Sequence, residues 1–309
     1  MWRKQTLSFI PACGSPDPTR SHFDAQDYLE NGTPGQKNTG DGWLNRLLGQ
    51  LENSNPVQAL NIGNTTPRIL LGPQSVASLA HGEQATQPLA IDQSINTDLF
   101  DRLYQNSTMI GRVYQESRMA RQTLLANLAE EMEAANQGAP LPKKFVGDAQ
   151  RLAQIMRKNP QVQLAFTSLG GWDTHIKQGN HLGRLANLFQ SLGKGLATLS
   201  DNLGEVYDQT VIVVLSEFGR AVRENGSGGT DHGHGNVMLL MGGALNGGKI
   251  LGEWRGLESS ELYQARDLPV LTDFRDPLIS IFRQHFKLSS DQMASIFPNY
   301  QASVDFSLV

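Results

Sequence analysis

Short apolar runs alternate with longer amphipathic stretches along this chain. Four apolar runs predict strands, at 7–10, 162–169, 211–215 and 237–241. Three stretches with apolar residues at helical spacing predict helices, at 145–158, 182–203 and 274–286. The run Val211–Leu215 contains no polar residue, which indicates a strand buried on both faces of a parallel sheet. Because helices and strands alternate, the pattern predicts an α/β protein with a mainly parallel sheet.

The segment 53–140 interrupts this alternation and predicts an insertion. Its first part is rich in Pro, Gly, Asn, Gln and Ser, with short predicted strands at 57–62 and 68–71. Its second part, 97–136, returns to helical periodicity and is interpreted as scaffold or lid. We therefore expect a single α/β domain over residues 1–309 that carries a loop-rich and helical insertion at about 53–140.

Composition narrows the classes of partner. The chain has 309 residues, of which 39% are hydrophobic and 18% charged, as is typical of a globular protein. The formal net charge of −4 gives no basic field, so we expect no nucleic-acid partner. No apolar run approaches the roughly 20 residues that cross a bilayer, so we expect no membrane span. The opening segment has an apolar part of about five residues, shorter than the roughly 7–15 of a secretion signal. The compartment and the oligomeric state stay open.

Acidic and imidazole side chains are concentrated after two predicted strands and in a glycine-rich loop. These candidate metal ligands are Asp173, His175, Glu217, Asp231, His232 and His234. Ligands of open α/β sheets bind beyond the carboxyl ends of the strands. Carboxylate oxygen combined with imidazole nitrogen suits a divalent metal ion, and the sequence leaves zinc, manganese, calcium and magnesium open. The alternative is that these groups cap the next helix and hold the glycine loop by hydrogen bonds.

Two further residues are candidates for catalysis. Ser21 precedes a predicted helix that ends at Gly32, with Asp24 three residues on, so it lies at a helix N-terminus with free N–H donors. It is interpreted either as a helix cap or as part of an anion site. Arg220 follows the strand at 211–215 and is interpreted either as a planar anion-binding group or as a surface or ion-paired arginine.

Four sequence motifs resemble one known family. They are S-H-F-D-A-Q-D-Y-L-E-N-G at 21–32, G-G-W-D-T-H at 170–175, S-E-F-G-R at 216–220 and N-G-S-G-G-T-D-H-G-H-G-N at 225–236. In this order they resemble the bacterial family called domain of unknown function 1501, from about residue 5 to about residue 290. That family is similar to the alkaline phosphatase and sulfatase superfamily. The resemblance implies a three-layer αβα sandwich, alkaline phosphatase-like, with a mainly parallel sheet.

The superfamily also implies roles for individual residues. Asp173 resembles the carboxylate ligand of a first metal, and His175 is the nearest match to its histidine companion. His232 resembles the late histidine that completes this site, with His234 as the alternative. Glu217 stands where the aspartate ligand of a second metal ends its strand. Phe218 occupies the place of the histidine that normally follows, and phenylalanine cannot ligate a metal.

Ser21 resembles the superfamily's nucleophile, but the opening of the chain departs from the family pattern. Family members usually begin with a strand that ends in an aspartate ligand, and nothing similar precedes Trp2. The chain is therefore interpreted as N-terminally truncated, with the first strand and an export signal missing. Full-length relatives are expected to be exported to the periplasm.

Two functions follow as hypotheses. The first is a metal-dependent hydrolase of phosphate or sulfate esters that acts on a small anionic ester, or is inactive in this truncated form. The alternative is a catalytically degenerate binding or structural protein that retains the fold, which the phenylalanine at position 218 favours.

Overall fold

A computed structural model describes residues 1–51, 57–81, 94–104, 109–127 and 144–309. Its strands are β1 Leu7–Gly14, β2 Ala59–Ile62, β3 Ala77–Leu79, β4 Leu164–Thr167, β5 Ile212–Val214, β6 Asn236–Met241 and β7 Thr272–Asp273. Its α-helices are α1 His22–Asn31, α2 Trp43–Leu48, α3 Ser94–Leu103, α4 Met109–Asn127, α5 Lys144–Lys158, α6 Arg184–Leu203, α7 Arg275–His285 and α8 Ser290–Ile296. The expectation of an α/β protein is confirmed.

The strands form two sheets. The order of the four-stranded sheet is β5-β6-β1-β7, and that of the three-stranded sheet is β3-β2-β4. All pairs in the three-stranded sheet are parallel. In the four-stranded sheet β6 is antiparallel to both of its neighbours, with Leu7 opposite Met241, whereas β1 and β7 are parallel. The sheets are therefore one parallel and one mixed, instead of a single mainly parallel sheet.

The strand predicted at 211–215 exists, but its predicted parallel pairing is wrong. β5 pairs antiparallel with β6, with Val213 opposite Leu240. Its residues are half-buried; Val213 packs against the main apolar cluster and Ile212 against a second one. The run is apolar throughout because both faces contact a core. The direction of its neighbour depends on the return path of the chain, which the run itself does not encode.

One apolar core joins the two sheets. Ile10 of β1 and Leu240 of β6 lie in the same buried cluster as Ala59 of β2 and Leu164 of β4. Burial of large apolar side chains contributes about 1.5–3 kcal/mol each, so this shared cluster fixes the sheets relative to each other. The carboxyl ends of β1 and β4, where the next loops begin, are thereby held at fixed positions relative to each other.

The insertion expected at 53–140 is only partly described, because residues 52–56, 82–93, 105–108 and 128–143 lie outside the described residues. Within it, the strand predicted at 57–62 is confirmed as β2 and the helical stretch as α3 and α4. The strand predicted at 68–71 is wrong, since Arg68–Leu70 is a turn of 3-10 helix. Among the helices described, none combines the length and the apolar composition that a bilayer span needs.

The helix predicted after Ser21 forms as expected. Ser21 has an extended backbone and its side chain accepts from the backbone N–H of Asp24. Gly32 ends the helix in the left-handed conformation at φ 72°, where its N–H donates to the Tyr28 carbonyl. Trp43 donates from its indole to the Leu29 carbonyl and fixes the far end of α1 to α2. The first turn of α1 lies next to the loop after β4, since His22 Nε2 is 3.5 Å from Asp173 Oδ2.

Candidate metal centre

Three segments distant in sequence bring side chains to one point. The first turn of α1 supplies His22, the loop after β4 supplies Asp173 and His175, and the glycine-rich loop before β6 supplies His232. One ligand atom each from His22, Asp173 and His232 lies within 4.8 Å of the others, as in a site for a metal ion. His175 joins them, because its Nε2 is 2.9 Å from Asp173 Oδ1 and 2.9 Å from His232 Nε2.

The Asp173 carboxylate is the centre of this cluster. Its Oδ1 is 3.0 Å from His232 Nε2 and 2.6 Å from a guanidinium nitrogen of Arg220, and its Oδ2 is 3.5 Å from His22 Nε2. Burial by itself raises the pKa of Asp173, but the hydrogen bonds from Arg220 and His232 and the neighbouring imidazoles outweigh it and lower that pKa to about 2. The carboxylate is therefore ionised at any ordinary pH and available as an anionic ligand.

Each of the three imidazoles has its Nδ1 atom bound to an oxygen. His22 Nδ1 is 2.7 Å from Glu217 Oε1, His232 Nδ1 is 2.8 Å from the Arg20 carbonyl, and His175 Nδ1 is 3.3 Å from Asp231 Oδ1. A carbonyl or carboxylate only accepts, so Nδ1 carries the proton in each ring. The Nε2 atoms of His175 and His232 lie 2.9 Å and 3.0 Å from Asp173 Oδ1, so a cation at the centre would replace the protons of these contacts and receive the Nε2 lone pairs. This is the arrangement by which proteins orient histidine ligands of metals.

The His22 ring supplies a direct test of whether a metal fits. Its Nε2 atom is buried and has no hydrogen-bond partner. A buried nitrogen without a partner costs about 1–3 kcal/mol, and a cation between it and the carboxylate removes that cost. Phe218, which is 6% exposed, packs its ring against His22 and His232 at centroid distances of 4.8 Å each and excludes water from that side. The donors present therefore fit a divalent cation.

The comparison with protein families decides which family this is. The family model described as "Protein of unknown function (DUF1501)" matches residues 11–297. The chain belongs to that family. No curated protein and no solved structure matches it significantly.

The glycine-rich loop of this DUF1501 chain is attached directly to the loop that carries Asp173 and His175. Backbone bonds join Lys177 to Ser227, at 3.1 Å, and Thr230 to Thr174, at 3.1 Å. Asn225 donates to the His175 carbonyl at 3.0 Å and to Asp231 at 2.9 Å. Three of these bonds join the two loops into one unit, and the bond from Asn225 to Asp231 holds the glycine-rich loop itself, so His175 and His232 face each other although they are distant in sequence.

Glu217 and Asp231 support histidines instead of facing the centre. Glu217 accepts from His22 and, at 2.6 Å, from the Ser216 hydroxyl. Asp231 is exposed, and hydrogen bonds from Asn225 and His175 lower the pKa of its carboxyl. The alternative in which Asp173 caps the next helix does not hold, because α6 has Gly183 as its N-cap and no side-chain cap bond. Asp231 does bind within the glycine loop, as that alternative supposed.

Arg220 is ion-paired in this family member. Besides Asp173, it contacts Thr230 through the hydroxyl at 3.1 Å and through the carbonyl. Of the two interpretations of Arg220, the structure favours the ion-paired arginine. It links the carboxylate to the glycine loop and offsets the charge of Asp173.

His234, the alternative ligand, has its contacts elsewhere. Its Nε2 donates to the Ser15 carbonyl at 3.1 Å, and its ring packs against Tyr263 at 4.9 Å. His232, two residues earlier, takes the position in the cluster. Ser21 is a helix cap with a 3.5 Å bond from the Asp24 N–H, and this bond leaves its hydroxyl proton free.

Sequence reasoning missed His22 as a candidate ligand. It lies inside the motif at 21–32, directly after the serine, whereas the predicted ligands lie after strands and in the glycine loop. The signal was present in the sequence: a second imidazole at the N-terminus of the same helix. Its relevance depends on the distance from α1 to the loop after β4, which spacing along the chain does not give.

Removing the support of His22 is expected to weaken metal binding. Glu217→Ala leaves the His22 Nδ1 proton without its acceptor and frees the ring to rotate, so we expect a 10- to 100-fold loss of metal affinity. Isothermal titration with Zn²⁺ measures it. Glu224→Ala, at an exposed glutamate of the same loop, is the matched control. Equal affinities of the two variants would contradict the positioning role.

The stability of the chain is expected to depend on pH through His234. Burial lowers the pKa of this histidine below its usual 6.5, and its Nδ1 is buried without a partner. The unfolded chain therefore binds a proton that the folded chain does not, and the contribution of neutral His234 is lost as pH falls below about 6.5. We expect His234→Gln to flatten the fall in unfolding free energy between pH 7 and 5 in urea titrations. His181→Gln, at an exposed histidine, should leave the slope unchanged.

Proposed function

We propose that this protein is a metal-dependent hydrolase of phosphate or sulfate esters, with one divalent cation held by His22, Asp173, His175 and His232. One observation carries the proposal: three imidazole Nε2 atoms and one ionised carboxylate converge, while the opposite nitrogen of each ring is fixed by an oxygen acceptor. Three nitrogens and one oxygen are the ligand types of zinc sites, whereas calcium and magnesium prefer oxygen throughout. Zinc is therefore the metal we expect.

Bound there, the cation supplies Lewis-acid chemistry for ester hydrolysis. Residues of the chain bind the anionic group and orient the histidines. The first turn of α1 presents backbone N–H groups and the positive end of the helix dipole, which favour an anionic phosphate or sulfate group. Glu217, Asp231 and the Arg20 carbonyl hold the ring protons on Nδ1. The Arg20 carbonyl is itself fixed, because the Arg20 side chain pairs with the fully buried Asp267 at 2.6 Å.

Ser21 is our candidate for the nucleophile. It immediately precedes His22 at the N-terminus of α1, and its hydroxyl accepts only a long bond from Asp24. This hydroxyl is free to lose its proton when it reacts, and the helix N-terminus stabilises the negative charge that then develops on the serine oxygen. The proposed substrate is a small anionic ester whose charged group faces this helix end.

The test separates metal binding from turnover. Purified protein, loaded in turn with Zn²⁺, Mn²⁺, Ca²⁺ and Mg²⁺, is assayed on 4-nitrophenyl phosphate and 4-nitrophenyl sulfate, with elemental analysis of the same samples. We expect about one Zn²⁺ per chain and metal-dependent release of 4-nitrophenol. Ser21→Ala should abolish release and retain the metal. No stoichiometric metal, or turnover unchanged in Ser21→Ala, contradicts the proposal.

A specific observation favours the second candidate, a binding protein that has lost catalysis. The side chains after β5 already have partners: Glu217 binds His22, and the ring of Phe218 packs against the imidazoles of His22 and His232. Within the described part of the chain, only the one metal-type cluster is found. This candidate predicts one bound ion and no release of 4-nitrophenol from either ester.

A further inference from the structure

A groove lies beside the candidate metal centre, at the carboxyl end of the parallel sheet. Residues after all three of its strands line the groove: Gly63–Thr65 follow β2, His81 follows β3 and Ser168 follows β4. The other wall is α1, through Phe23 and Gln26. Its volume is about 530 Å³, enough for a ligand of several rings.

Both walls of the groove are continuous in sequence with segments that supply the centre. Phe23 is the residue after His22, and Ser168 lies five residues before Asp173 on the loop that follows β4. Parallel pairing sets Ile62 opposite Thr167, so the ends of β2 and β4 reach this edge together. A substrate whose charged group is bound at His22 would have its remaining part on the side of Phe23, the neighbouring residue of α1 and part of the groove lining.

The lining of the groove favours a neutral, hydroxyl-rich ligand. The Asn64 amide nitrogen and the hydroxyls of Thr65 and Ser168 have no hydrogen-bond partner among the described residues. The imidazole of His81 donates a hydrogen bond from Nδ1 to Asp148 Oδ2 at 2.8 Å, so its Nε2 is an acceptor. These side chains therefore supply both hydrogen-bond donors and acceptors to the lining of the groove.

Charge in the groove disfavours a second anionic group. Its one arginine, Arg68, is paired with Asp27 at 2.6 Å, and Glu30 is buried with its oxygens bound to Gln26 and to the Ile69 N–H. The lining therefore has no unpaired cation to receive an anion, within the part of the chain that the structure describes. Neutral hydrogen-bonding groups remain.

Phe23 supplies the apolar surface. Its side chain is 90% exposed, although it lies on a helix whose other apolar residues are buried. Half-buried Phe166 provides a second ring at the base of the groove. An exposed aromatic ring, together with amide and hydroxyl groups that have no partner among the described residues, matches a sugar, which presents C–H bonds on one face and hydroxyls at its edge.

We propose that this groove binds the sugar part of the substrate, so that the ester hydrolysed is a phosphate or sulfate ester of a neutral oligosaccharide. The assignment of the sugar as the alcohol part rests on the proposed hydrolase function. The binding of the sugar itself does not, because none of the metal-centre side chains lines the groove.

The test is titration calorimetry with neutral hexasaccharides, namely maltohexaose, cellohexaose, mannohexaose and xylohexaose, in the presence of EDTA. We expect at least one of them to bind with a Kd below about 1 mM. Phe23→Ala should weaken that binding at least fivefold, and Asn64→Ala should weaken it as well. Both side chains are exposed, so neither variant threatens the fold. Trp254→Ala, at an exposed aromatic outside the groove, is the control and should bind as the native chain does.

Two results overturn the inference. One is the absence of binding by every hexasaccharide, and the other is binding that Phe23→Ala and Asn64→Ala leave unchanged. Asp173→Asn separates this inference from the proposed function: it should abolish release of 4-nitrophenol and keep the affinity for the sugar. If the native chain binds a sugar but hydrolyses no ester, the inference of a sugar-binding groove is supported and the proposed hydrolase function is rejected.

Discussion

Asp173→Asn is expected to reduce the affinity for Zn²⁺ at least about 100-fold and to abolish metal-dependent release of 4-nitrophenol. Asparagine keeps the volume of the side chain but removes the only ionised ligand, toward which His22, His175 and His232 are directed. It also leaves Arg220 as an uncompensated cation 2.6 Å from the same position, which repels a divalent ion. Isothermal titration with Zn²⁺ and elemental analysis measure the loss.

The control for this variant is Asp201→Asn, which removes an exposed aspartate on α6. We expect it to bind Zn²⁺ as the native chain does. Thermal unfolding in EDTA should show that Asp173→Asn is folded, since its side chain is 44% exposed. Native affinity for Zn²⁺ in a folded Asp173→Asn variant would contradict a metal centre built on Asp173.

Gly229→Ala is expected to lower the unfolding free energy by about 1–3 kcal/mol and to weaken Zn²⁺ binding at least tenfold. A Cβ at this position would overlap the carbonyls of His175 and Thr174, which are backbone atoms and cannot rotate away. The glycine loop and the loop after β4 must then separate, and the distance between the His175 and His232 rings increases. Urea unfolding and zinc titration measure the two effects.

Gly226→Ala provides a control in the same loop. A Cβ at Gly226 has no heavy atom within 4 Å, so we expect a change within about 0.5 kcal/mol and native zinc affinity. Equal unfolding free energies and zinc affinities of the two alanine variants would show that the close approach of the two loops at Gly229 does not matter for either property. The comparison isolates the close approach of the two loops from the general effect of replacing a glycine.

Much of the local structure was predictable from residues alone. Ser21 and Gly32 bound α1 as predicted, since a side-chain cap and a left-handed glycine act within one helical turn. The strands β1, β4 and β6 lie where apolar runs predicted them. The prediction of a strand at 68–71 failed, since Ile69 and Leu70 are buried from a 3-10 turn, and the short apolar run does not distinguish a turn from a strand.

The candidate site divides in the same way. Asp173, His175 and His232, which the sequence proposed as ligands, come together in the structure; the sequence indicated them because acid and imidazole stand close together in short motifs after strands and in a loop. It also proposed His234, which contacts Ser15 and Tyr263, and Glu217 as a ligand, which supports His22. Neighbouring residues of one loop point in different directions, so a motif does not distinguish a ligand from a support.

The sequence by itself determined the α/β class, the approximate positions of most helices and strands, and the residue types that meet in the candidate metal centre, because these depend mainly on patterns within a few residues. The tertiary structure decided the rest. It paired β5 antiparallel to β6, placed His22 beside Asp173, and assigned Arg220 to an ion pair. Each of these depends on the path of the chain between remote segments, since a side chain becomes a ligand only where folding brings its atoms within a few ångströms of the others.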